Sequence, residues 1–144
     1  MAFKINLNEK SGKTYKLEVS APGLIDRELG DKIDGKEIKN ELEGYEFEIT
    51  GASDKAGFPL FKEVQGQGLK KVLLGYGKGM HKKPKREGKK PAKDTKPKGL
   101  RLRKTVRGKV ISEAVVQINL KIVKEGKKPL SEIFAPEKPA EQTA

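Results

Sequence analysis

Between Lys78 and Arg107 the chain carries 14 basic residues and two acidic ones, Glu87 and Asp94, with strand-like sequence on either side. Burying unpaired charge is too costly for such a run to lie in a core, so the chain must leave its fold near Lys78 and return near Arg107. The whole formal net charge of +12 belongs to this window, because the remaining residues hold 18 basic and 18 acidic side chains. A neutral body with one cationic arm is the layout of a protein that meets a polyanion.

The arm's composition narrows the kind of polyanion and the way it is held. It contains no Phe, Tyr or Trp, although Tyr76 precedes it, so it offers no stacking platform for unpaired bases. Pro84, Pro91 and Pro97, with Gly79, Gly88 and Gly99, interrupt any continuous helix, which excludes a basic-region helix in a DNA major groove. Ordering each residue costs about 1–2 kcal/mol of backbone entropy. Met80, Leu100, Leu102 and Val106 are too few to hold the arm on their own. What remains is an extended strap whose Lys78, Lys82, Lys83, Lys85, Arg86, Lys89 and Lys90 track the phosphates of folded RNA. Because the strap is anchored at both ends, it loses less entropy on binding than a free tail would.

The flanking sequence reads mainly as β-structure. Phe3, Ile5 and Leu7 alternate with polar residues, "NEKSGK" supplies a turn, and Tyr15, Leu17 and Val19 alternate again, so a hairpin is expected. Pro22, Gly23, Gly30 and Gly35 leave room for at most a turn or two of helix around Ile25 to Leu29, and "KEIKNELEG" fits either a short strand or a helical turn. "YEFEIT" places Tyr45, Phe47 and Ile49 on one face. "GASDKAGFP" reads as a tight loop in which Asp54 accepts bonds from nearby amides. A short strand near Leu60 to Val64, the "QGQG" turn and "LKKVLLGY" precede the arm. Beyond it, Val116, Ile118, Leu120 and Ile122 give the longest alternation in the chain. Roughly six or seven short strands with little helix predict a small antiparallel β-barrel or sandwich. The expected organisation is one domain, 1–126, containing the basic loop 78–107, then an irregular tail, 127–144, flexible at its end.

Other chemistries find little support. Without cysteine there are no disulfides and no thiolate metal sites or nucleophiles. No signal peptide is visible and no apolar run approaches the roughly 18 residues of a membrane helix, so a soluble intracellular protein is expected. "GQG" at 66–68 and "GYGKG" at 75–79 lack the spacing of nucleotide-binding loops and read as turns. His81 is the lone histidine, Glu46 and Glu48 occupy the polar face of a strand, and Thr105 reads as a strand-edge residue. No catalytic constellation, cofactor, metal, small-molecule substrate, membrane or homo-oligomer is expected.

Three stretches together, "GYEFEITGASDKAGFP" (44–59), "GLRLRKTVRG" (99–108) and "QINLKIVKEG" (117–126), resemble the e-type family of small-subunit ribosomal protein six from archaea and eukaryotes. Their order and spacing match as well, and the resemblance runs from about Met1 to Leu130. It implies a barrel-like β protein, without enzymatic activity, that binds ribosomal RNA beside neighbouring ribosomal proteins in cytoplasmic ribosomes. Carried onto this chain, it makes Arg101, Arg103, Lys104 and Arg107 the principal RNA contact, joined by Lys70 and Lys71. It also makes Asp54, Gly57, Phe58 and Pro59 a structural signature loop. The chain departs from the family in having Ala52 where a second glycine is usual, and in ending without the longer basic, phosphoserine-bearing extension of the eukaryotic members. A free RNA- or DNA-binding module of chaperone or chromatin type is the alternative, and an RNA-modifying enzyme stands behind it.

Overall fold

The computed structural model describes residues 2–82 and 98–134. The predicted contacts Lys83, Lys85, Arg86, Lys89 and Lys90, and the end of the predicted tail, lie outside the described residues. Strands β1 (Phe3–Asn8) and β2 (Thr14–Val19) form the expected hairpin, Phe3 opposite Val19 and Asn8 opposite Thr14. Its turn closes through the Glu9 amide on the Lys13 carbonyl at 2.9 Å.

Strands β3 (Lys32–Asp34) and β4 (Glu46–Asp54) are antiparallel. Between them "KEIKNELEG" folds as helical turns, with α1 at Gly35–Ile38 and a 3₁₀ turn at Asn40–Leu42 that bury Ile38 and Leu42. The other 3₁₀ turn, Pro22–Leu24, begins three residues before the helical turn expected around Ile25, where Pro22 can serve as a first helical residue.

Strands β5 (Leu69–Leu74) and β6 (Leu102–Arg107) make a separate two-stranded ribbon. The last strand, β7 (Val115–Lys124), lies between β1 and β4, so the main sheet runs β2-β1-β7-β4-β3. The expected strand at Leu60 to Val64 is not formed. Pro59 and Leu60 make single bridges to Ser53 and Arg107, and the chain then turns, with the Val64 amide on the Phe61 carbonyl.

The fold is mainly β, but its sheets do not close into the predicted barrel, nor are all pairs antiparallel. Strand β1 runs parallel to β7, Ile5 beside Ile118, and β2 and β3 stand at opposite edges of the main sheet. Closure would require the edges to meet. Instead β3 stops after three residues, and β4 is bent by register shifts at Glu46/Phe47, Ile49/Gly51 and Ser53/Asp54.

One sheet face is apolar: Phe3, Ile5, Leu7, Phe47, Ile49, Ile118, Leu120 and Ile122 are buried. Connecting segments cover this face where a second sheet would stand in a barrel. Leu24, Ile38, Leu42, Leu60, Ile111 and Leu130 join the same core. The last of these comes from α2 (Leu130–Ile133), beyond the predicted domain end. Tyr45 donates its hydroxyl to the Lys128 carbonyl, and Phe134 stacks on Tyr15 with ring centroids 5.4 Å apart, so Leu130, Ile133 and Phe134 also pack against the core.

Candidate nucleic-acid interface

The site is built on the β5–β6 ribbon, and the ribbon is fixed to the body by two of the sequence's own signature stretches. Asp54 ends β4, and Gly57 takes a positive φ of 86°, which lets the chain double back. The Asp54 carboxylate accepts the Ala56 and Phe58 amides through Oδ1 at 3.0 and 2.9 Å, and the Arg107 Nε–H through Oδ2 at 3.0 Å. Arg107 also donates Nη1–H to the Gln67 carbonyl at 3.0 Å. Its backbone exchanges bonds with the loop too, donating to the Pro59 carbonyl and accepting from the Phe61 amide, both at 3.0 Å.

Asp54 is the one buried polar or charged side chain among the described residues. Its charge is tolerable there because the carboxylate is both paired and hydrogen-bonded. Gly108, which follows Arg107, must lack a side chain, since a Cβ would lie 1.9 Å from the Gly66 carbonyl oxygen. The "SDKAGFP" loop and the "TVRG" end of the basic segment are thus one joint, and the Arg107 guanidinium is held against Asp54 at that joint.

From this joint the ribbon runs in register from Leu69 opposite Arg107 to Leu74 opposite Leu102. Strand alternation then sorts its side chains. Val72, Leu74, Leu102 and Val106 share one face, which is partly or fully buried. Lys70 and Lys104 are on that face by register, Lys70 exposed and Lys104 half-buried. The other face carries Lys71, Thr105 and Arg103, with Arg101 continuing the alternation, and Lys71, Arg101 and Arg103 are exposed.

Beyond Leu74 the chain folds over itself at Gly77 and Met80, whose amides and carbonyls exchange bonds at 3.2 Å, and Met80 is fully buried. The Lys78 ammonium sits 5.3 Å from the Phe61 ring centroid, a cation–π distance. Lys82 is exposed and its carbonyl accepts the Tyr76 hydroxyl. The return limb of the predicted arm is therefore a strand within the chain itself, held by the ladder to β5. The ladder adds backbone hydrogen bonds to what the arm's few apolar side chains contribute.

Carboxylates are spread over the body and absent from the ribbon strands. On the body Lys4 meets Glu18, Arg27 meets Glu37, Lys36 meets Glu43, Lys39 meets Glu41, Lys109 meets Glu28 and Lys124 meets Glu46, at 2.6–3.8 Å. The Lys36–Glu43 hydrogen bond at 2.7 Å raises the lysine pKa and lowers that of the carboxyl. Such exposed pairs add little stability, but they neutralise the surface locally. Among the described residues, no carboxylate pairs with Lys70, Lys71, Lys82, Lys98, Arg101, Arg103 or Lys104.

The structure thus brings Lys70, Lys71, Arg101, Arg103 and Lys104 onto one ribbon, sets Lys78 and Lys82 at its open end, and draws Arg107 into the joint with the signature loop. Two residues absent from the sequence-based set share the ribbon's outward face: Leu69, 48% exposed, and Leu73, 57% exposed. The alternation in "LKKVLL" carries the signal for them, since only one face of that strand can be buried. No group of acidic or histidine side chains suited to a metal occurs among the described residues, and no helix there is long and apolar enough to cross a membrane.

Comparison with known proteins gives one consistent result. The family model of ribosomal protein S6e matches residues 3–135. The chain is 41% identical over 131 residues to small ribosomal subunit protein eS6 of Methanococcus maripaludis, covering 90% of this chain and 94% of that protein. It is 41% identical over 126 residues to the protein of the same name from Thermoplasma acidophilum, with 85% and 89% covered. For Methanothermobacter thermautotrophicus the identity is 40% over 137 residues, with 93% and 96% covered.

Proposed function

The chain belongs to the ribosomal protein S6e family, and from that premise we propose that it is a structural, non-enzymatic constituent of the small ribosomal subunit. In this reading it works in cytoplasmic ribosomes, beside other ribosomal proteins. It binds ribosomal RNA through the cations of the β5–β6 ribbon, Lys70, Lys71, Arg101, Arg103 and Lys104, together with those of the segment that opens from the ribbon, among them Lys78 and Lys82.

The observation that carries the reading is the concentration of cations on a ribbon that has no acidic residue of its own. The ribbon strands and the described residues flanking them, 69–82 and 98–107, hold no acidic side chain, while acidic and basic residues balance one another outside the 78–107 window. Phosphate oxygens are the chemistry that such a surface lacks. Arg107 serves the same end indirectly, by setting the ribbon's angle on the body through Asp54.

The test is the affinity of the full chain for small-subunit ribosomal RNA as salt is varied. If about 6–10 phosphates are neutralised, affinity should fall by roughly 10³- to 10⁵-fold between about 50 and 200 mM salt, on the behaviour of duplex DNA. Each of Lys71→Ala and Arg103→Ala should reduce the slope by about 0.7–0.9. A salt-insensitive complex would overturn the proposal. A free nucleic-acid-binding module would share this electrostatics, but would remain near the top of a sucrose gradient at moderate salt. The protein proposed here should sediment with small subunits.

A further inference from the structure

Leu69 and Leu73 are out of place on a ribbon otherwise arranged for phosphate. Among the described residues the remaining exposed large hydrophobic side chain is Val123, at 37%. The two leucines flank Lys71 along β5, and across the ribbon they stand opposite Arg107 and Arg103. The outward face therefore presents Lys71 between two apolar side chains, with Arg103 opposite Leu73 and Arg101 continuing beyond it.

We infer that this face is built for double-helical, A-form RNA, lying in the shallow minor groove with Leu69 and Leu73 against riboses and Lys71, Arg101 and Arg103 on phosphates. The inference rests on the proposed function and names the form of RNA which that site takes. Leucine has no hydrogen-bonding group with which to read a base edge and no ring on which a base can stack. It can only pack against carbon and hydrogen surface, which in a nucleic acid helix means chiefly the sugars.

The A-form minor groove is wide, shallow and lined with riboses and their 2′-hydroxyls, so side chains of leucine length reach its floor. The B-DNA minor groove, about 6 Å wide, is too narrow for two strands about 4.8 Å apart with their side chains. Single-stranded RNA would call for aromatic platforms, and none occurs on this face. The half-buried Thr105, opposite Lys71, adds a hydroxyl that can bond a 2′-hydroxyl. Unpaired positive charge around the leucines favours RNA over a protein neighbour as the occupant.

The experiment measures binding of the full chain to an RNA duplex, a DNA duplex of the same sequence and the single RNA strand, for the natural protein and for a Leu69→Ser/Leu73→Ser variant. Both positions are exposed, so the variant should fold, and its melting temperature checks that it does. The inference expects the RNA duplex to bind tightest and the variant to lose about tenfold on it. Its salt slope should be unchanged, because no charge is removed.

Equal binding of variant and natural protein to the RNA duplex would overturn the inference while leaving the proposed function intact. So would preference of the natural protein for single-stranded RNA or for DNA. A variant that binds naked ribosomal RNA normally but fails to enter small subunits would assign the leucines to a protein neighbour, which also overturns it. Failure of the natural protein to bind any RNA would remove the proposed function itself.

Discussion

Asp54 shows how a single side chain can hold two distant parts of the chain together. One carboxylate oxygen closes its own loop through the Ala56 and Phe58 amides, and the other receives the Arg107 guanidinium. The Asp54 side chain is 3% exposed and that of Arg107 15%, so removing one partner leaves a buried charge unpaired. Asp54→Ala is expected to lower stability by about 3–5 kcal/mol, and Asp54→Asn by less, because Asn keeps the acceptor for the loop amides. Urea unfolding of both variants checks the order.

Sequence alone marks Asp54 as a loop acceptor, because an aspartate before a glycine turn bonds locally. It does not reveal Arg107 as the partner, because one arginine in a basic run looks like any other until the fold brings it to a carboxylate. Tyr45 gives a second expectation at this scale. Burial raises its pKa above the ordinary 10.0, with nearby Glu125 adding to the effect. Folding therefore favours the neutral phenol, and its contribution is complete below about pH 10 and is lost as pH rises through the folded-state pKa. Tyr45→Phe should flatten the alkaline end of the stability profile, as read from melting temperature against pH.

Secondary elements with strict alternation are legible in the chain; those set by long-range pairing are not. Strands β1, β2, β4 and β7 follow from apolar residues at every second position. The stretch at Leu60 to Val64 also looks extended, yet it makes only single bridges because Pro59 and the joint with Arg107 divert it. Register and edges depend on partners far apart in sequence, which is why the parallel β1–β7 pairing and the open sheet could not be read from alternation. The same limit applied to β6: its basic composition suggested a segment ordered only by RNA, whereas its ladder is made by β5. The ribbon should therefore be ordered in the free protein. Hydrogen exchange without RNA is expected to show slow amides within Leu69–Leu74 and Leu102–Arg107. Exchange at the rate of an unstructured peptide would contradict the ladder.

Across the whole molecule, charge is sorted rather than merely abundant. The division between a neutral body and one cationic segment was legible in the sequence, because net charge needs no fold to be counted. The structure adds how the two are joined: an open sheet carries the core, and the signature loop at the end of β4 is bonded to the ribbon through Arg107. The central claim is that unpaired cations on and beside this ribbon face RNA in the small subunit, while the ion-paired cations of the body do not. Quantitative lysine acylation, compared by mass spectrometry between the free chain and assembled small subunits, tests it most directly. The account predicts strong protection on assembly at Lys70, Lys71, Lys82 and Lys104, with little change at Lys4, Lys36 and Lys39. Equal reactivity of the ribbon lysines in both samples, or protection confined to the body, would contradict it.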